Sequence, residues 1–478
     1  MKKSITKNYI YNLLYQITAL VVPLITTPYI SRVLGAEAIG IYSFTLSVTT
    51  YFILFGTLGI SLYGQREIAY LQDDKKNRTK TFWEIFLFRC ITMSISILIF
   101  YFSFGIKNEF KIYYRILLVE LLTYYIDISW FFSGMEEFKK TVSKNILIRI
   151  ISLILVFILI KKPSDLTKYF IIYVLSNFIG NLSLWFYLPK YIQKIKFKEL
   201  NILKHIKPTI SLFIPQIAVQ IYNVLDRTML GAIISNKSEV GYYEQAQKYI
   251  KVLLTIESSL ITVMIPRMAN SFIKGEKYKI EKYMNKSFSF VMFLAFPMIV
   301  GSIDIAKEFV PIFYGEGYEK VGTIICLISP IILFVGLSNI IGSQYLLPTK
   351  KQKKYTIAVV SGAVINFVLN SIFIRKYYSF GASIATCIAE LVVLVIELFM
   401  IRKEFKIKKI LRNGVKYLLS STIMLIFLYI IDIIIKNNIY KLILKVLVGV
   451  LSYIIILIIL KDSFLMEAKN KILNKFRR

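Results

Sequence analysis

Ionisable side chains stand inside long apolar stretches of this 478-residue sequence, where they could hold a charged passenger. Arg89 and Arg149 lie deep in two such stretches. A guanidinium is always charged and binds phosphate through paired hydrogen-bond donors. These arginines therefore favour a phosphate-bearing substrate. A charge at the centre of a membrane helix costs roughly 2.5–3.5 kcal/mol, which is why such groups tend to face an internal path.

Carboxylates occupy the same stretches, and they suit cations. The candidates for coupling to H⁺ or Na⁺ are Asp127, Asp226, Glu257 and Glu390. Glu84 and Arg89 are five residues apart, as are Arg115 and Glu120, and we expect each pair to be partners. Because both signs of charge are present, charge alone leaves a phosphate-bearing lipid, a drug cation and a small ion open as passengers.

Cysteine and histidine are too scarce for a metal centre or a histidine-based catalytic triad. The three cysteines stand apart in apolar runs, so no paired CxxC site and no disulfide framework is predicted. The single histidine, His205, falls in a Lys-rich connection and is interpreted as a solvated loop residue. We expect neither a metal nor a cofactor.

The elements that must position these groups are membrane spans. Hydrophobic residues make up 56% of the chain and the mean hydropathy is +0.62, more apolar surface than a water-soluble core can bury. Apolar runs of about 20 residues predict fourteen transmembrane helices. They cover residues 10–30, 39–60, 82–104, 112–132, 145–160, 167–188, 209–234, 246–266, 288–306, 321–346, 355–374, 381–401, 414–434 and 442–460.

The net charge is +32, and the positions of the Lys and Arg residues indicate which connections lie inside the cell. With the N-terminus inside, the inner connections hold 39 Lys and Arg residues and the outer connections hold 12. This bias alternates from one connection to the next, as the positive-inside rule requires. Both termini are therefore predicted to be cytoplasmic. The cations face anionic lipid, and nucleic acid is excluded as a partner.

A motif recurs at an offset of about 200 residues. The first copy is Ser31-Arg32-Val33-Leu34-Gly35 followed by Glu37-Ala38-Ile39-Gly40-Ile41-Tyr42, and the second is Asp226-Arg227-Thr228-Met229-Leu230-Gly231 followed by Glu239-Val240-Gly241-Tyr242-Tyr243. Six spans separate the copies, so the repeats are parallel, as in carriers built from two similar bundles. Pro23 and Pro28 precede the first copy and Pro215 precedes the second. We expect these prolines to bend helices that act as gates.

These motifs, with Tyr378-Ser379-Phe380-Gly381-Ala382-Ser383-Ile384-Ala385-Thr386, resemble the bacterial flippases of lipid-linked oligosaccharides. Those proteins form the polysaccharide-transporter branch of the multidrug/oligosaccharidyl-lipid/polysaccharide exporter superfamily. The resemblance covers essentially the whole chain. It implies two six-helix lobes, residues 1–200 and 201–405, followed by two additional helices and a basic cytoplasmic tail in residues 406–478.

The resemblance also implies a function. Its implied passenger is an undecaprenyl-diphosphate-linked oligosaccharide, moved by alternating access to the outer leaflet of the bacterial cytoplasmic membrane for capsule or O-antigen assembly. The family's cationic cavity implies diphosphate-binding roles for Arg32, Arg89, Arg149 and Arg227. The polysaccharide polymerase and its assembly machinery are expected partners.

Two alternatives remain at this point. One is an ion-coupled multidrug exporter of the same fold, which would depend on carboxylates such as Glu257. The other is a membrane polysaccharide polymerase or ligase, an enzyme that would need acid–base residues in a sizeable outer loop. The longest outer connection has about 14 residues, so we expect a transporter and no enzyme.

Overall fold

The structure is a computed structural model that describes residues 5–462 and 464–467. Within these residues the chain forms helices and no strand, which confirms the all-α class. The α-helices are α1 (Ile5–Thr57), α2 (Ile60–Tyr70), α3 (Lys75–Phe100), α4 (Lys111–Tyr125), α5 (Ser129–Gly134), α6 (Phe138–Leu159), α7 (Leu166–Trp185), α8 (Ile206–Ile233), α9 (Ser238–Ile273), α10 (Lys277–Phe313), α11 (Glu319–Ile328), α12 (Ile331–Asn339), α13 (Gln352–Ile401), α14 (Ile407–Ile434) and α15 (Asn438–Ile459).

All fourteen predicted spans fall on these helices and the short helical turns that continue them. α1 holds the first two spans, and α13 holds the eleventh and twelfth. The backbone leaves helical geometry once inside each, at Gly35 with φ 80° and at Tyr378 with φ 54°. Among the described residues, ten helical segments are long and apolar enough to cross a membrane, and the bent pair α11–α12 makes eleven. The chain is therefore a multi-pass membrane protein.

The chain divides into two compact units. The first contains the residues up to 231 together with 236–241, and the second contains 232–235 together with the residues from 242 on. The lobe boundaries expected from the family resemblance, after residues 200 and 405, stay a prediction.

In the first unit, α1 packs along α3, α4 and α6, while α7 packs on α4 and α6. Lipid is as apolar as a helix surface, so close van der Waals packing holds membrane helices together. Gly64 on α2 allows such an approach, because a Cβ there would collide with the buried indole of Trp130 on α5. Phe82 and Phe131 pack around the same indole. This cluster fixes the break between α4 and α5, where Asp127 lies.

In the second unit, α10 contacts α11, α12, α14 and α15. An ion-pair network joins α10 to the two trailing helices. The Lys445 ammonium on α15, whose side chain is 1% exposed, lies 2.8 Å from Asp432 on α14. It also lies 3.0 Å from Asp304 and 3.5 Å from Glu308, both on α10. Lys441 approaches Asp432 at 3.3 Å. These charges, of which Lys445 and Glu308 are buried, compensate one another and orient α14 and α15 on α10.

The segment that forms the tenth predicted span is irregular. α11 and α12 meet at an angle of 43°, and a π-helical stretch, Ile340–Leu346, follows α12. π-Helical turns widen the helix and are frequent at functional sites. This segment faces the buried carboxylates of the second unit described below.

Candidate functional site

The two copies of the repeated motif contact each other directly. Gly40 lies on α1 and Gly241 in the first turn of α9, and both belong to the first unit. A Cβ on Gly40 would collide with the backbone oxygen of Lys237, and a Cβ on Gly241 would collide with that of Ala36. Lys237 stands four residues before Gly241, and Ala36 stands four residues before Gly40. The contact is therefore reciprocal. The two backbones meet with no room for a side chain between them.

Lys237 covers this contact. Its ammonium donates a hydrogen bond of 2.7 Å to the backbone oxygen of Gly231, which belongs to the second copy of the motif. It also lies 5.1 Å from the ring centre of Phe44 and 5.6 Å from that of Phe110. Burial lowers the pKa of Lys237, which is 8% exposed, and the charge of Glu109 opposes this effect. The motif thus builds a closely packed junction at predicted outer connections.

The structure brings two of the predicted site residues together, Arg89 on α3 and Asp127 at the α4–α5 break. Arg89 is fully buried. Its Nη1 donates a hydrogen bond of 2.6 Å to the backbone oxygen of Asp127 and lies 3.6 Å from the carboxylate Oδ2. Nη2 lies 3.4 Å from the hydroxyl of Ser61. This guanidinium is therefore engaged in holding the chain at the break between the two helices.

The partners predicted from five-residue spacing are wrong for both pairs. Glu84 accepts hydrogen bonds from residues of the 189–208 connection, and Arg89 binds Asp127. Arg115 donates its Nε to the backbone oxygen of Gly105, at 2.9 Å. Glu120 lies 3.4 Å from the hydroxyl of Tyr173 on α7. A spacing of five places two side chains about 140° apart around a helix, so contacts between helices decide the pairing.

Sequence reasoning missed a polar cluster between α4, α6 and α7. Lys144, counted above among the inner connections, lies on α6 and donates a hydrogen bond of 2.5 Å to the side-chain oxygen of Asn181 on α7. Asn177, one turn earlier, lies 3.4 Å from the Glu120 carboxylate. The two asparagines are four residues apart and therefore share one helix face. This spacing was the sequence signal that could have identified the cluster.

The remaining predicted arginines are accessible. Arg32 on α1 is exposed, and Arg149 on α6 and Arg227 on α8 are half-buried. Arg227 donates a hydrogen bond of 3.1 Å to the backbone oxygen of Asn223. Asp226, its neighbour, is half-buried as well. Next to this pair the Thr228 hydroxyl lies 2.9 Å from that of Ser47 on α1, so α8 and α1 pack together beside the second motif.

The second unit buries carboxylates among apolar helices. Glu257 on α9 is 1% exposed, and neither of its carboxylate oxygens has a hydrogen-bond partner among the described residues. It occupies the space beside Gly336 on α12, where a Cβ would collide with it. Glu397 on α13 is fully buried beside Gly342 in the π-helical stretch, and Glu390 on the same helix is half-buried. Glu397 was not among the predicted site residues.

His205 is buried, which corrects its interpretation as a solvated loop residue. It is 2% exposed, and its Nε2 lies 3.0 Å from the Glu84 carboxylate. Its Nδ1 lies 2.8 Å from the hydroxyl of Tyr63 on α2. Burial lowers the pKa of His205, while the hydrogen bond to Glu84 opposes the shift and the charge of Lys204 adds to it. The connection between the sixth and seventh predicted spans is thereby attached to α2 and α3.

The predicted gating prolines lie within helices. Pro23 and Pro28 are inside α1, whose non-helical residue is Gly35. Pro215 falls within α8, but its side chain lies outside the described residues. A bending or gating role for these prolines stays a prediction.

Comparison with known families gives two matches that each cover more than half of the chain. The profile described as "Polysaccharide biosynthesis protein" matches residues 5–272, and the profile "Lipid II flippase MurJ" matches residues 151–453. A protein of Escherichia coli (strain K12), provisionally named an O-antigen transporter, is 25% identical over 411 residues, covering 84% of this chain and 98% of that protein. The lipid II flippase MurJ of Bacillus subtilis (strain 168) is 27% identical, covering 44% of this chain and 40% of that protein.

Solved structures show the same fold. A lipid II flippase MurJ in an inward closed conformation aligns with a TM-score of 0.76 at 21% identity, covering 94% of this chain and 99% of that one. An inward-facing multidrug resistance transporter of the MATE family aligns with a TM-score of 0.60 at 11% identity, covering 83% and 96%. The helical architecture is therefore one that these transporters share.

Proposed function

The chain belongs to the polysaccharide biosynthesis protein family of the multidrug/oligosaccharidyl-lipid/polysaccharide exporter superfamily, and from this membership we propose that it flips lipid-linked oligosaccharides. The passenger is an undecaprenyl-diphosphate-linked repeat unit. It moves from the cytoplasmic to the outer leaflet by alternating access and supplies capsule or O-antigen-type polysaccharide assembly.

The structural observation that supports transport is the reciprocal contact at Gly40 and Gly241. On the proposed topology this contact lies at the outer ends of the second and eighth spans. Two motifs that close on one another at one side of a membrane protein form a gate for that side. Release to the outer leaflet then requires the two backbones to separate, and the close packing gives this junction two discrete states.

The arginines accessible in the structure would bind the diphosphate. Arg32, Arg149 and Arg227 are exposed or half-buried, so their donors can reach a ligand without breaking the core. Arg89 differs, because its guanidinium is enclosed with Asp127. We assign Arg89 a positioning role, in which it holds the α4–α5 break against α3.

Ion coupling is assigned to the buried carboxylates. Glu257 has no hydrogen-bond partner among the described residues and lies in an apolar setting, where an uncompensated charge is unfavourable by several kcal/mol. A proton or Na⁺ that neutralises it in the enclosed state and leaves when α9 and α12 separate would link ion flow to the conformational cycle. Asp226 and Glu390, both half-buried, are secondary candidates for the same role, as is Asp127.

The cellular setting follows from the same proposal. The protein lies in the bacterial cytoplasmic membrane with both termini in the cytoplasm. It works without covalent chemistry on the passenger and hands the flipped repeat unit to a polysaccharide polymerase and its assembly machinery.

A cell-based complementation experiment tests the function. A bacterial strain that lacks its own repeat-unit flippase receives the wild-type chain, Arg227→Gln or the control Arg375→Gln, which removes an exposed arginine of α13. Surface polysaccharide should return with the wild type and the control, and fall at least about tenfold with Arg227→Gln at equal membrane abundance, as for a lost phosphate contact. A wild-type chain that restores no polysaccharide but expels cationic drugs would favour the multidrug exporter.

A further inference from the structure

A basic cavity of about 820 Å³ lies in the second unit, where the turn between α13 and α14 meets the start of α10. Six cations line it: Arg402, Lys403, Lys406, Lys408, Lys409 and Arg412. Two acidic residues, Glu281 and Glu404, lie on its wall. Flippase function assigns no role to this cavity, because the turn is part of a connection and not of a span.

The negative charge of Glu404 is already paired outside this set of cations. Its carboxylate lies 3.6 Å from Lys354 and also pairs with Lys351. Burial alone would raise the pKa of Glu404, but hydrogen bonds from Lys351 and Tyr345 hold it below its ordinary value. Among the described residues that line the cavity, six cations therefore face it and Glu281 is the one remaining acidic residue.

The backbone adds to this excess. Lys406 is the N-cap of α14, its side chain makes no capping hydrogen bond, and no acidic residue stands in the first turn. Lys408 and Lys409 occupy that turn. Cations at the positive end of a helix dipole repel it, so the arrangement is unfavourable until an anion neutralises it.

Apolar surface begins immediately beside the cations. The Arg402 guanidinium lies 3.6 Å from the ring centre of Phe399, which is 58% exposed on α13. Leu411 and Val415 are 47% and 49% exposed on α14. Exposed apolar side chains on spans face lipid tails, and an arginine over such a ring stands at the headgroup level.

We propose that this cavity binds the headgroup of an anionic glycerophospholipid of the inner leaflet, with the acyl chains lying on Phe399 and Leu411. The six cations supply the charge complementarity, and the adjoining apolar surface distinguishes a lipid from a soluble phosphate. The occupant is a resident lipid of the second unit, separate from the passenger bound at Arg32, Arg149 and Arg227. The inference uses the proposed sidedness of the turn but not the identity of the passenger.

Lipid titration of the purified full-length protein tests the proposal. Phosphatidylglycerol or phosphatidylcholine is added to the protein in neutral detergent, and bound lipid is counted by native mass spectrometry. The site variant is Lys406→Gln/Lys409→Gln/Arg412→Gln. The control, Lys194→Gln/Lys196→Gln/Lys198→Gln, removes the same charge from exposed positions of another inner connection. The charge-conserving Lys406→Arg/Lys409→Arg shows whether the site tolerates substitution.

Three lost cations near a lipid surface should weaken phosphatidylglycerol binding about 100-fold in the site variant. The control and the charge-conserving variant should bind like the wild type, and phosphatidylcholine should bind weakly to all. Equal weakening in the site variant and the control would overturn the proposal, because only net charge would then matter. Displacement of the lipid by inorganic pyrophosphate at equal concentration would also overturn the proposal, because the occupant would then be a soluble phosphate. A site variant that fails to fold, while the charge-conserving variant folds without the lipid preference, would also overturn it.

Discussion

Gly40 and Gly241 each face the backbone carbonyl that stands four residues before the other, so two repeated motifs close on one another through their backbones. The reciprocity joins a sequence repeat to a three-dimensional contact. A contact without side chains can be tight when closed and leaves no bulky group to rearrange when it opens. This makes the junction suited to an outer gate that opens and closes in each transport cycle.

A methyl group at this junction should disable transport. Gly40→Ala places a Cβ against the Lys237 carbonyl, so the two motifs cannot close, and we expect surface polysaccharide in a complemented strain to fall at least about tenfold. Gly301→Ala on α10 is the matched control, because nothing lies within 4 Å of its added Cβ. Normal polysaccharide with Gly40→Ala at wild-type abundance would argue against the gate.

The pairing of Arg89 with Asp127 predicts a loss of stability with a characteristic rescue. Arg89→Met leaves the Asp127 carboxylate without its buried partner, at a cost of about 3–5 kcal/mol. Thermal unfolding of the solubilised protein should show the single variant to be the least stable, with Arg89→Met/Asp127→Asn partly restored. Arg227→Met, at a half-buried position, should unfold close to the wild type. An absence of rescue in the double variant would contradict the pairing.

The ion pairs of Lys445 predict that this ammonium group contributes to holding the trailing helices on α10. Lys445→Met removes the cation shared by Asp304, Glu308 and Asp432. We expect the unfolding temperature to fall by several degrees, because Asp304 loses its 3.0 Å ion pair and, among the described residues, Lys441 alone then faces Glu308 and Asp432. Limited proteolysis should then cut between α14 and α15 sooner than in the wild type. Lys436→Met, at an exposed position nearby, should behave as the wild type does.

His205 predicts a pH dependence of stability. Burial lowers its pKa in the folded protein below the ordinary value of 6.5, so the unfolded chain binds the proton more readily. Its contribution is therefore constant above about pH 7 and is lost as the pH falls below 6.5 towards the lowered pKa. In His205→Gln the unfolding temperature should fall less between about pH 7 and pH 5 than it does in the wild type. An unchanged slope in that variant would show that other groups carry the dependence.

The sequence predicted those features that depend on local composition. Apolar run length placed the predicted spans on the observed helices, and the sequence repeat contains Gly40 and Gly241 at matching positions. Contacts between distant segments were not predictable in the same way. Arg89 pairs with a residue 38 positions away, and His205 is buried although its neighbours are lysines, because α2 and α3 supply Tyr63 and Glu84. Helical periodicity identifies faces, but the tertiary arrangement chooses the partner.

Direct flipping by purified protein tests whether the chain moves the lipid-linked oligosaccharide across a bilayer. The full-length chain is reconstituted in vesicles that carry an undecaprenyl-diphosphate-linked oligosaccharide, and a sugar-modifying enzyme added outside reports the fraction of the lipid that becomes accessible. We expect the accessible fraction to rise from about half at the start towards completion with the wild type, and to stay at the protein-free level with Arg227→Gln. Wild-type vesicles that show no more accessibility than protein-free vesicles would contradict it.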